Sequence, residues 1–160
     1  MAPFAALGIP DDRIFFGLPL KDACDRVGIS LEDYLGAYDA SLARPFPGVP
    51  EMLGRLEQWA VCSNKLGAYA QEEIAQLGWR PDVALFTEAF GGPKRLAPVL
   101  EALDVAAAGV VFVGDSEHDR VCAREAGVTF ALAGWNPRAE AVEGDIVLGD
   151  PGDVLPLLTR

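Results

Sequence analysis

The sequence predicts an α/β protein with a parallel sheet, preceded by a small helical region. From residue 50 onward, short apolar runs typical of buried strands alternate with segments of helical spacing. The run Val110–Val113 is broken by Gly114, Asp115 follows, and a helical pattern continues over residues 117–127. The first 48 residues instead carry the signals of helix starts and ends.

Composition narrows the class of protein. A hydrophobic content of 51% over 160 residues supplies a real core. No apolar run approaches the length needed to cross a membrane, and the N-terminus lacks a basic region followed by an apolar one, so we predict a soluble, cytoplasmic protein without a membrane partner. The net charge of −11 argues against nucleic acid as a partner, because phosphate backbones need a basic face. Three cysteines without metal spacing predict reduced thiols.

The N-terminal region is predicted to be helical up to a proline-rich stop. Proline and acidic residues at 10–12 suit a helix start, and a second helix is predicted from Pro19 to Val27. Ser30 with Asp33 is typical of a capping box before an amphipathic helix ending near residue 44. The sequence Pro-Phe-Pro-Gly at 45–48 ends this region. We therefore predict a small helical subdomain at residues 1–46.

The rest of the chain, residues 47–160, is predicted to form the α/β core. Strands are expected at 59–62, 83–86, 110–113, 128–132 and 146–148. Helices are expected at 50–58, from about 65 to 78, at 94–103 and at 117–127, with a turn or helix after Pro137. Strands that alternate with helices in this way indicate a parallel sheet.

Polar residues follow three of the predicted strands. They are Ser63 and Asn64, then Lys94 in the loop after the second strand, then Asp115 and Asp119. Ligands bind at this edge of open α/β sheets. Hydroxyl groups and backbone N–H groups at a helix start bind phosphate, an ammonium neutralises its charge, and carboxylates suit Mg²⁺. The sequence therefore predicts one phosphate and metal pocket, for a small phosphorylated partner.

Each of these residues also has a purely structural interpretation. Asp115 and Asp119 could serve the dipole of the helix that follows them. Ser63 could cap the helix at 65–77, and Lys94 could be an ordinary solvated lysine. His118 is the only histidine, which excludes His-cluster metal sites and leaves Ser-His-Asp chemistry only if His118 is the base. We interpret it as a helix residue outside the site.

Three segments together resemble a known family. VCSNK at 61–65, GGPKRLAPVLEAL at 91–103 and VVFVGDSEHDRVCAREAGV at 110–128 resemble, in order, the second, third and fourth motifs of the haloacid dehalogenase-like (HAD) superfamily of hydrolases. The similarity is to the phosphoglycolate phosphatase-like branch with a helical cap, since the segments at 15–29 and 44–56 resemble that cap and the exit from it. The fold implied is a Rossmann-like HAD core with a parallel sheet, plus a small N-terminal helical cap.

The resemblance assigns roles to the candidate residues. It implies that Ser63, with Asn64, binds the phosphoryl group and that Lys94 is both a substrate-binding and a catalytic residue that steadies the nucleophile and the phosphate charge. Asp115 would ligate Mg²⁺, and Asp119 would support the metal directly or through water. The implied function is that of a Mg²⁺-dependent phosphatase acting on a small phosphorylated metabolite.

One motif of the superfamily is not matched. Its first motif is an apolar strand followed by DxDGT, which carries the nucleophile, whereas here Asp11 and Asp12 follow a proline and no DxD occurs before the cap. An aspartyl-phosphate route needs a carboxylate aimed at phosphorus. We therefore predict that this chain is inactive as a phosphatase. The alternatives are a non-catalytic HAD-derived binding or assembly protein, and an N-terminally truncated version of an active phosphatase.

The unmatched motif also includes the first, central strand of the family's sheet. That strand would lie between the strands predicted at 59–62 and 110–113, and without it two strand edges are exposed. Three remedies are open: the two strands pair directly, Ile14-Phe15-Phe16 moves in, or another chain supplies a strand. We predict a repair by association or by rearrangement; in the case of association, a homo-oligomer would cover the exposed edges.

Overall fold

The computed structural model describes residues 2–14 and 18–158 of the chain. Helices α1 to α7 span Ala2–Ala6, Leu20–Val27, Leu31–Gly36, Val49–Leu53, Gly67–Gln76, Ala97–Leu103 and Glu117–Ala126. Strands β1 to β5 span Ala60–Cys62, Val83–Leu85, Val111–Gly114, Thr129–Ala133 and Ile146–Leu148. Short 3-10 helices span Asp11–Arg13, Ala40–Leu42, Thr87–Ala89, Ala107–Gly109 and Pro151–Leu157. Within the described residues, none of these helices is long and apolar enough to cross a membrane.

The chain divides into two compact units. The first comprises the chain up to Arg44 together with residues 63–80 and 85–94. The second comprises residues 45–62, 81–84 and 95–160. The division into a cap at residues 1–46 and a core at 47–160 stays a prediction.

The N-terminal helices of the first unit enclose an apolar cluster, formed by Phe4, Ile14, Ala23, Cys24, Val27 and Tyr34. Helix α2 ends at Gly28, whose φ of 79° is the left-handed conformation that glycine adopts without strain. Helix α3 starts as predicted, because the Ser30 side chain accepts a hydrogen bond from the backbone N–H of Asp33. It ends at Gly36 rather than near residue 44, because Asp39 begins a new turn by accepting from the N–H of Ser41.

The second unit contains a three-stranded parallel sheet in the order β3-β4-β5. Val111 is paired with Thr129, and Ala131 is paired with Ile146. Helix α7 follows β3 and packs on the sheet through Cys122 and Ala123, which are buried. This arrangement confirms the predicted α/β, Rossmann-like class.

Strands β1 and β2 form a separate two-stranded sheet. The N–H of Asp82 donates to the carbonyl of Trp59, and the N–H of Ser63 donates to that of Leu85, so the two strands run in the same direction. In the part of the chain that the structure describes, β1 and β3 belong to different sheets and do not pair directly. Phe15 and Phe16 lie outside the described residues, and Ile14 packs in the helical cluster of the first unit.

Two predicted helices are shorter in the structure. Helix α4 was predicted to reach residue 58 but ends at Leu53, and Gly54 is its C-cap residue. Helix α6 begins at Ala97 rather than at Lys94, and the backbone N–H of Lys94 donates to the Asn64 side chain in the loop before it.

Candidate functional site

The turn between β3 and α7 is built around the Asp119 side chain. Its Oδ2 accepts hydrogen bonds from the backbone N–H groups of Asp115 and Ser116, both at 3.0 Å, and from the Ser116 hydroxyl at 2.6 Å. The Ser116 hydroxyl in turn accepts from the Asp119 N–H, which completes a capping box. Asp119 is 3% exposed. Its carboxylate therefore caps the helix and holds the backbone of Asp115 in place.

Gly114 makes this turn possible. A Cβ atom at this position would lie 2.3 Å from Cβ and 2.4 Å from Cγ of Asp119, which is closer than real Cβ contacts come. The absence of a side chain lets the carboxylate fold back over the end of the strand. The spacing Gly-Asp-Ser-x-x-Asp thus has a local physical basis, because the glycine makes room for the aspartate that caps the helix.

The Asp115 side chain is held by a residue that sequence reasoning missed. Asn136 Nδ2 donates to Asp115 Oδ2, while Asn136 Oδ1 accepts from the backbone N–H of Arg138 at 3.1 Å. Asn136 is 8% exposed and follows β4, at the same edge of the sheet as Asp115. A polar residue just beyond a predicted strand was the available signal, since the rule that singled out Asp115 applies equally to β4.

On the first unit, Ser63 follows β1 but does not cap the next helix. The Ser63 hydroxyl accepts from the N–H of Lys65 at 3.2 Å, two residues before α5 begins. The N–H of Gly67, at the start of α5, instead donates to both carboxylate oxygens of Glu88, at 2.9 and 3.0 Å. The capping interpretation of Ser63 is therefore wrong. The amide of Gly67 is also committed to Glu88 rather than offered to a phosphate.

Asn64 joins the Ser63 loop to Lys94. It is 7% exposed, and its Oδ1 accepts from the backbone N–H of Lys94 at 2.7 Å. Lys94 is half-buried, so it is not a fully solvated surface lysine. The structure thus joins the segment that carries Ser63 and Asn64 to Lys94, which the sequence analysis placed after a different strand.

Lys65, next to Asn64, takes part in a different network. Its ammonium pairs with the Glu73 carboxylate on α5, and the Tyr38 hydroxyl donates to the same carboxylate. Burial, together with this carboxylate, raises the pKa of Tyr38 well above its usual range. This network ties the segment after α3 to α5 within the first unit.

The donor set for a metal can be judged on the second unit by itself. Among the described residues, no three His, Cys, Asp or Glu side chains come together as a group that could hold a metal ion. Asp115 is exposed and offers the oxygen chemistry that Mg²⁺ prefers, whereas Oδ2 of Asp119 is already engaged by three donors. Mg²⁺ is commonly held by one or two carboxylates, with waters and a substrate phosphate completing its shell. The residues fit that limited role, through Asp115.

The candidate residues thus form two groups. Ser63, Asn64 and Lys94 belong to the first unit, and Asp115 with Asp119 belongs to the second, where Asn136 joins them. The contacts within each group are structural findings. The assignment of these residues as phosphate-binding, catalytic and metal-binding stays a prediction.

Comparison with known proteins bears on the same segments. A sequence model of the family described as haloacid dehalogenase-like hydrolase matches residues 10–133. A phosphoglycolate phosphatase of Xanthomonas campestris is 39% identical over 131 residues, covering 73% of this chain and 58% of that protein. An N-acetylmuramic acid 6-phosphate phosphatase of Pseudomonas aeruginosa is 26% identical over 149 residues, covering 81% of this chain and 65% of that protein. The chain thus spans about three fifths of the length of the curated relatives it matches.

Solved structures resemble the fold over nearly the whole chain. A haloacid dehalogenase-like family hydrolase from Streptococcus pneumoniae superposes with a TM-score of 0.76 at 20% identity, covering 98% of this chain and 86% of that one. A HAD-superfamily hydrolase of subfamily IA from Geobacter sulfurreducens gives a TM-score of 0.67 at 21% identity, covering 98% and 85%. At this level of identity the likeness concerns the fold alone.

Proposed function

Since this chain belongs to the haloacid dehalogenase-like hydrolase family, we propose that it carries the phosphate- and metal-binding frame of a Mg²⁺-dependent phosphatase that acts on a small phosphorylated metabolite. Relatives named for the hydrolysis of phosphoglycolate and of N-acetylmuramic acid 6-phosphate support this class of substrate. The proposal concerns the class of ligand, a phosphate monoester, rather than one compound.

The observation that carries the proposal is that two hydrogen bonds, one to the backbone and one to the side chain, hold Asp115 in place. Asp119 holds its backbone N–H, and Asn136 holds one of its carboxylate oxygens. Asp115 nevertheless remains exposed at the end of a parallel strand. A fixed carboxylate at this edge of the sheet is preorganised for a ligand, because its orientation is already established before the ligand arrives.

On the first unit, we assign the phosphate to Ser63 and Lys94. The Ser63 hydroxyl can donate to a phosphate oxygen while accepting from the N–H of Lys65. The ammonium of Lys94 neutralises a dianion on a chain whose net charge is −11. The Asn64 side chain accepts a hydrogen bond from the backbone N–H of Lys94 and so holds Lys94 next to this loop.

On the second unit, Asp115 would hold Mg²⁺, and Asp119 would act through the backbone of Asp115. When bound, Mg²⁺ supplies positive charge that neutralises the phosphate oxygens. The three hydrogen bonds accepted by Oδ2 of Asp119 make it a positioning residue, whose removal would release the Asp115 backbone.

We further propose that the 160 residues by themselves bind phosphate and metal without turning over. Hydrolysis through an aspartyl-phosphate needs an attacking carboxylate, and no DxD motif occurs before the helical region. The second candidate function is a non-catalytic protein that uses the same residues for binding or assembly.

The test is calorimetric titration of the chain with Mg²⁺ and with inorganic phosphate, alongside hydrolysis of p-nitrophenyl phosphate. We expect Asp115→Asn to weaken Mg²⁺ binding by roughly tenfold or more and Lys94→Met to weaken phosphate binding. Lys21→Met is the matched control, because Lys21 is an exposed lysine on α2 whose ion pair is with Asp25 of the same helix. A wild-type chain that binds neither ligand would refute the proposal. Turnover that disappears in Asp115→Asn and survives repurification would refute the inactivity.

A further inference from the structure

We propose that Asn136 is a positioning residue that sets the orientation of the Asp115 carboxylate for its ligand. Asn136 lies outside the three motif segments at 61–65, 91–103 and 110–128. It follows β4 and is 21 residues from Asp115 along the chain. The inference rests on the proposed function, because it assumes that Asp115 is the carboxylate that meets the metal.

The contacts of Asn136 determine which way its amide faces. Oδ1 accepts from the backbone N–H of Arg138, and Nδ2 donates to Oδ2 of Asp115. Turning the amide over would place its NH₂ group against the Arg138 N–H and its oxygen against the carboxylate. Both contacts would then be repulsive, so the observed orientation is the one that satisfies the two partners. The amide is therefore a fixed donor aimed at Asp115.

The burial of Asn136 indicates that its side-chain amide is required for the hydrogen bond to Asp115. Trp135 before it is half-buried and Pro137 after it is exposed, whereas Asn136 is buried. A buried primary amide is costly unless its polar atoms are paired. The contact to the Arg138 N–H is an ordinary turn that serine or aspartate could also form. Only the contact from Nδ2 requires the amide of asparagine.

Together with Asp119, Asn136 holds Asp115 from two sides. Asp119 accepts from the backbone N–H of Asp115, and Asn136 binds the side chain, so both the main chain and the carboxylate are restrained. Hydrogen bonds to a ligating carboxylate orient it, and their removal typically weakens metal binding by about 10- to 100-fold. We expect an effect of this size from losing Asn136.

The experiment compares Asn136→Ser and Asn136→Ala with the wild-type chain. Serine can keep the turn contact to the Arg138 N–H but is too short to reach Asp115, whereas alanine loses both contacts. We expect both variants to weaken Mg²⁺ binding by about tenfold in a calorimetric titration, with the melting temperature of the serine variant close to that of the wild type. If the serine variant binds Mg²⁺ like the wild type, Asn136 serves the turn alone and the inference is wrong.

Asp145→Asn is the matched control for general loosening of this loop. Asp145 anchors the same loop by accepting hydrogen bonds from the Arg120 guanidinium and from the backbone N–H of Val142. We expect this variant to lower the melting temperature and to leave Mg²⁺ affinity within about twofold of the wild type, far below the effect of losing the hydrogen bond from Asn136 to Asp115. An equal loss of Mg²⁺ affinity in this control would contradict the inference.

A second measurement separates this inference from the proposed function. The chain has two asparagines, Asn64 and Asn136, so their side-chain NH₂ resonances are simple to assign. We expect Asp115→Ala to shift the Asn136 pair and speed its hydrogen exchange, leaving the Asn64 pair unchanged. A wild-type chain that binds no Mg²⁺ would refute the metal role in the proposed function. An Asn136 pair indifferent to Asp115→Ala would refute the positioning role.

Discussion

At the scale of single residues, the candidate site depends on side chains that have structural duties as well. Asp119 is the example, because one carboxylate oxygen caps α7 and fixes the backbone of Asp115. The helix-cap interpretation and the site interpretation of this residue are thus compatible. The two aspartates of the motif, four residues apart, are not equivalent. Asp115 is exposed, whereas Asp119 is buried and accepts a hydrogen bond from the Asp115 backbone N–H.

Gly114→Ala tests the close approach behind this turn. The added Cβ would meet Cβ and Cγ of Asp119, which cannot swing away without giving up the cap. We expect the free energy of unfolding to fall by roughly 2–4 kcal/mol, from overpacking and loss of the cap together, measured by urea denaturation. Gly109→Ala is the control, since a Cβ there meets no atom within 4 Å. Equal stability of the two variants would contradict the role of Gly114.

Asp145 joins the loop that carries Asn136 to helix α7 through Arg120. Arg120 donates two hydrogen bonds to its carboxylate, which is 5% exposed, and these hold the pKa of Asp145 below its usual value. A lowered pKa means that the stabilisation is present above the ordinary carboxyl pKa and is lost as the pH falls through the folded-state value.

Asp145→Asn should lower the unfolding free energy near neutral pH by roughly 1–3 kcal/mol, because the hydrogen bonds from Arg120 lose their charged acceptor. Its difference from the wild type should shrink below about pH 4. Denaturant unfolding across a pH series measures both effects. Glu117→Gln removes the second carboxylate that is ion-paired with Arg120. Because the Glu117 side chain is 63% exposed, this variant should change the free energy of unfolding by about 0.5 kcal/mol or less. A difference for Asp145→Asn that persists undiminished at low pH would contradict this account.

At the scale of secondary-structure elements, the start of α5 shows how a helix can be capped from elsewhere in the chain. No side chain at its own N-terminus caps it, because Leu66 holds that position. Glu88, on the 3-10 helix after β2, supplies the acceptor for the Gly67 N–H. The carboxylate also complements the positive end of the helix. Ser63 is therefore not needed to cap α5, and its hydroxyl remains a candidate for binding phosphate.

Glu88→Ala tests this long-range cap. We expect a loss of roughly 1–2 kcal/mol in unfolding free energy, because a helix N–H loses its acceptor and the dipole loses its counter-charge. Hydrogen exchange of the Gly67 amide should accelerate more than that of residues later in α5. The control is Glu72→Ala, an exposed position within α5 that should stay within about 0.5 kcal/mol of the wild type. Unchanged exchange at Gly67 would refute the cap.

At the scale of the whole molecule, the strands form two sheets rather than one. Cys62 of β1 and Phe112 of β3 pack against the same apolar cluster, yet no strand of the described residues joins their sheets. Unpaired strand edges present N–H and C=O groups that favour pairing with another chain. This observation is the basis for keeping the prediction that a homo-oligomer covers these edges.

Sedimentation velocity over a wide concentration range tests the association. We expect a concentration-dependent dimer or higher oligomer, because within the described residues β1 pairs only with β2 and β3 only with β4, and an unpaired strand edge favours pairing with another chain. Val147→Lys is the control, since it places a charge on β5, at the far side of the sheet from β3. Loss of the oligomer in this variant would assign the interface to β5, and a monomer at every concentration would show the prediction to be wrong.

The sequence by itself determined the alternation of strands and helices and the turn at residues 114–119. Both depend on neighbours a few residues apart: an apolar run broken by glycine, and a serine and an aspartate that cap each other. The start of α3 was predictable for the same reason, because Ser30 and Asp33 are three residues apart.

Only the tertiary structure decided which groups hold the candidate residues in place. Asn136 meets Asp115 across 21 residues, Glu88 meets Gly67 across 21, and Lys94 meets Asn64 across 30. No local pattern specifies these partners, because each contact exists only once strands and loops have been brought together by the packing of the sheets. The separation of β1 from β3 has the same origin, since strand pairing depends on which edges meet rather than on the residues of either strand alone.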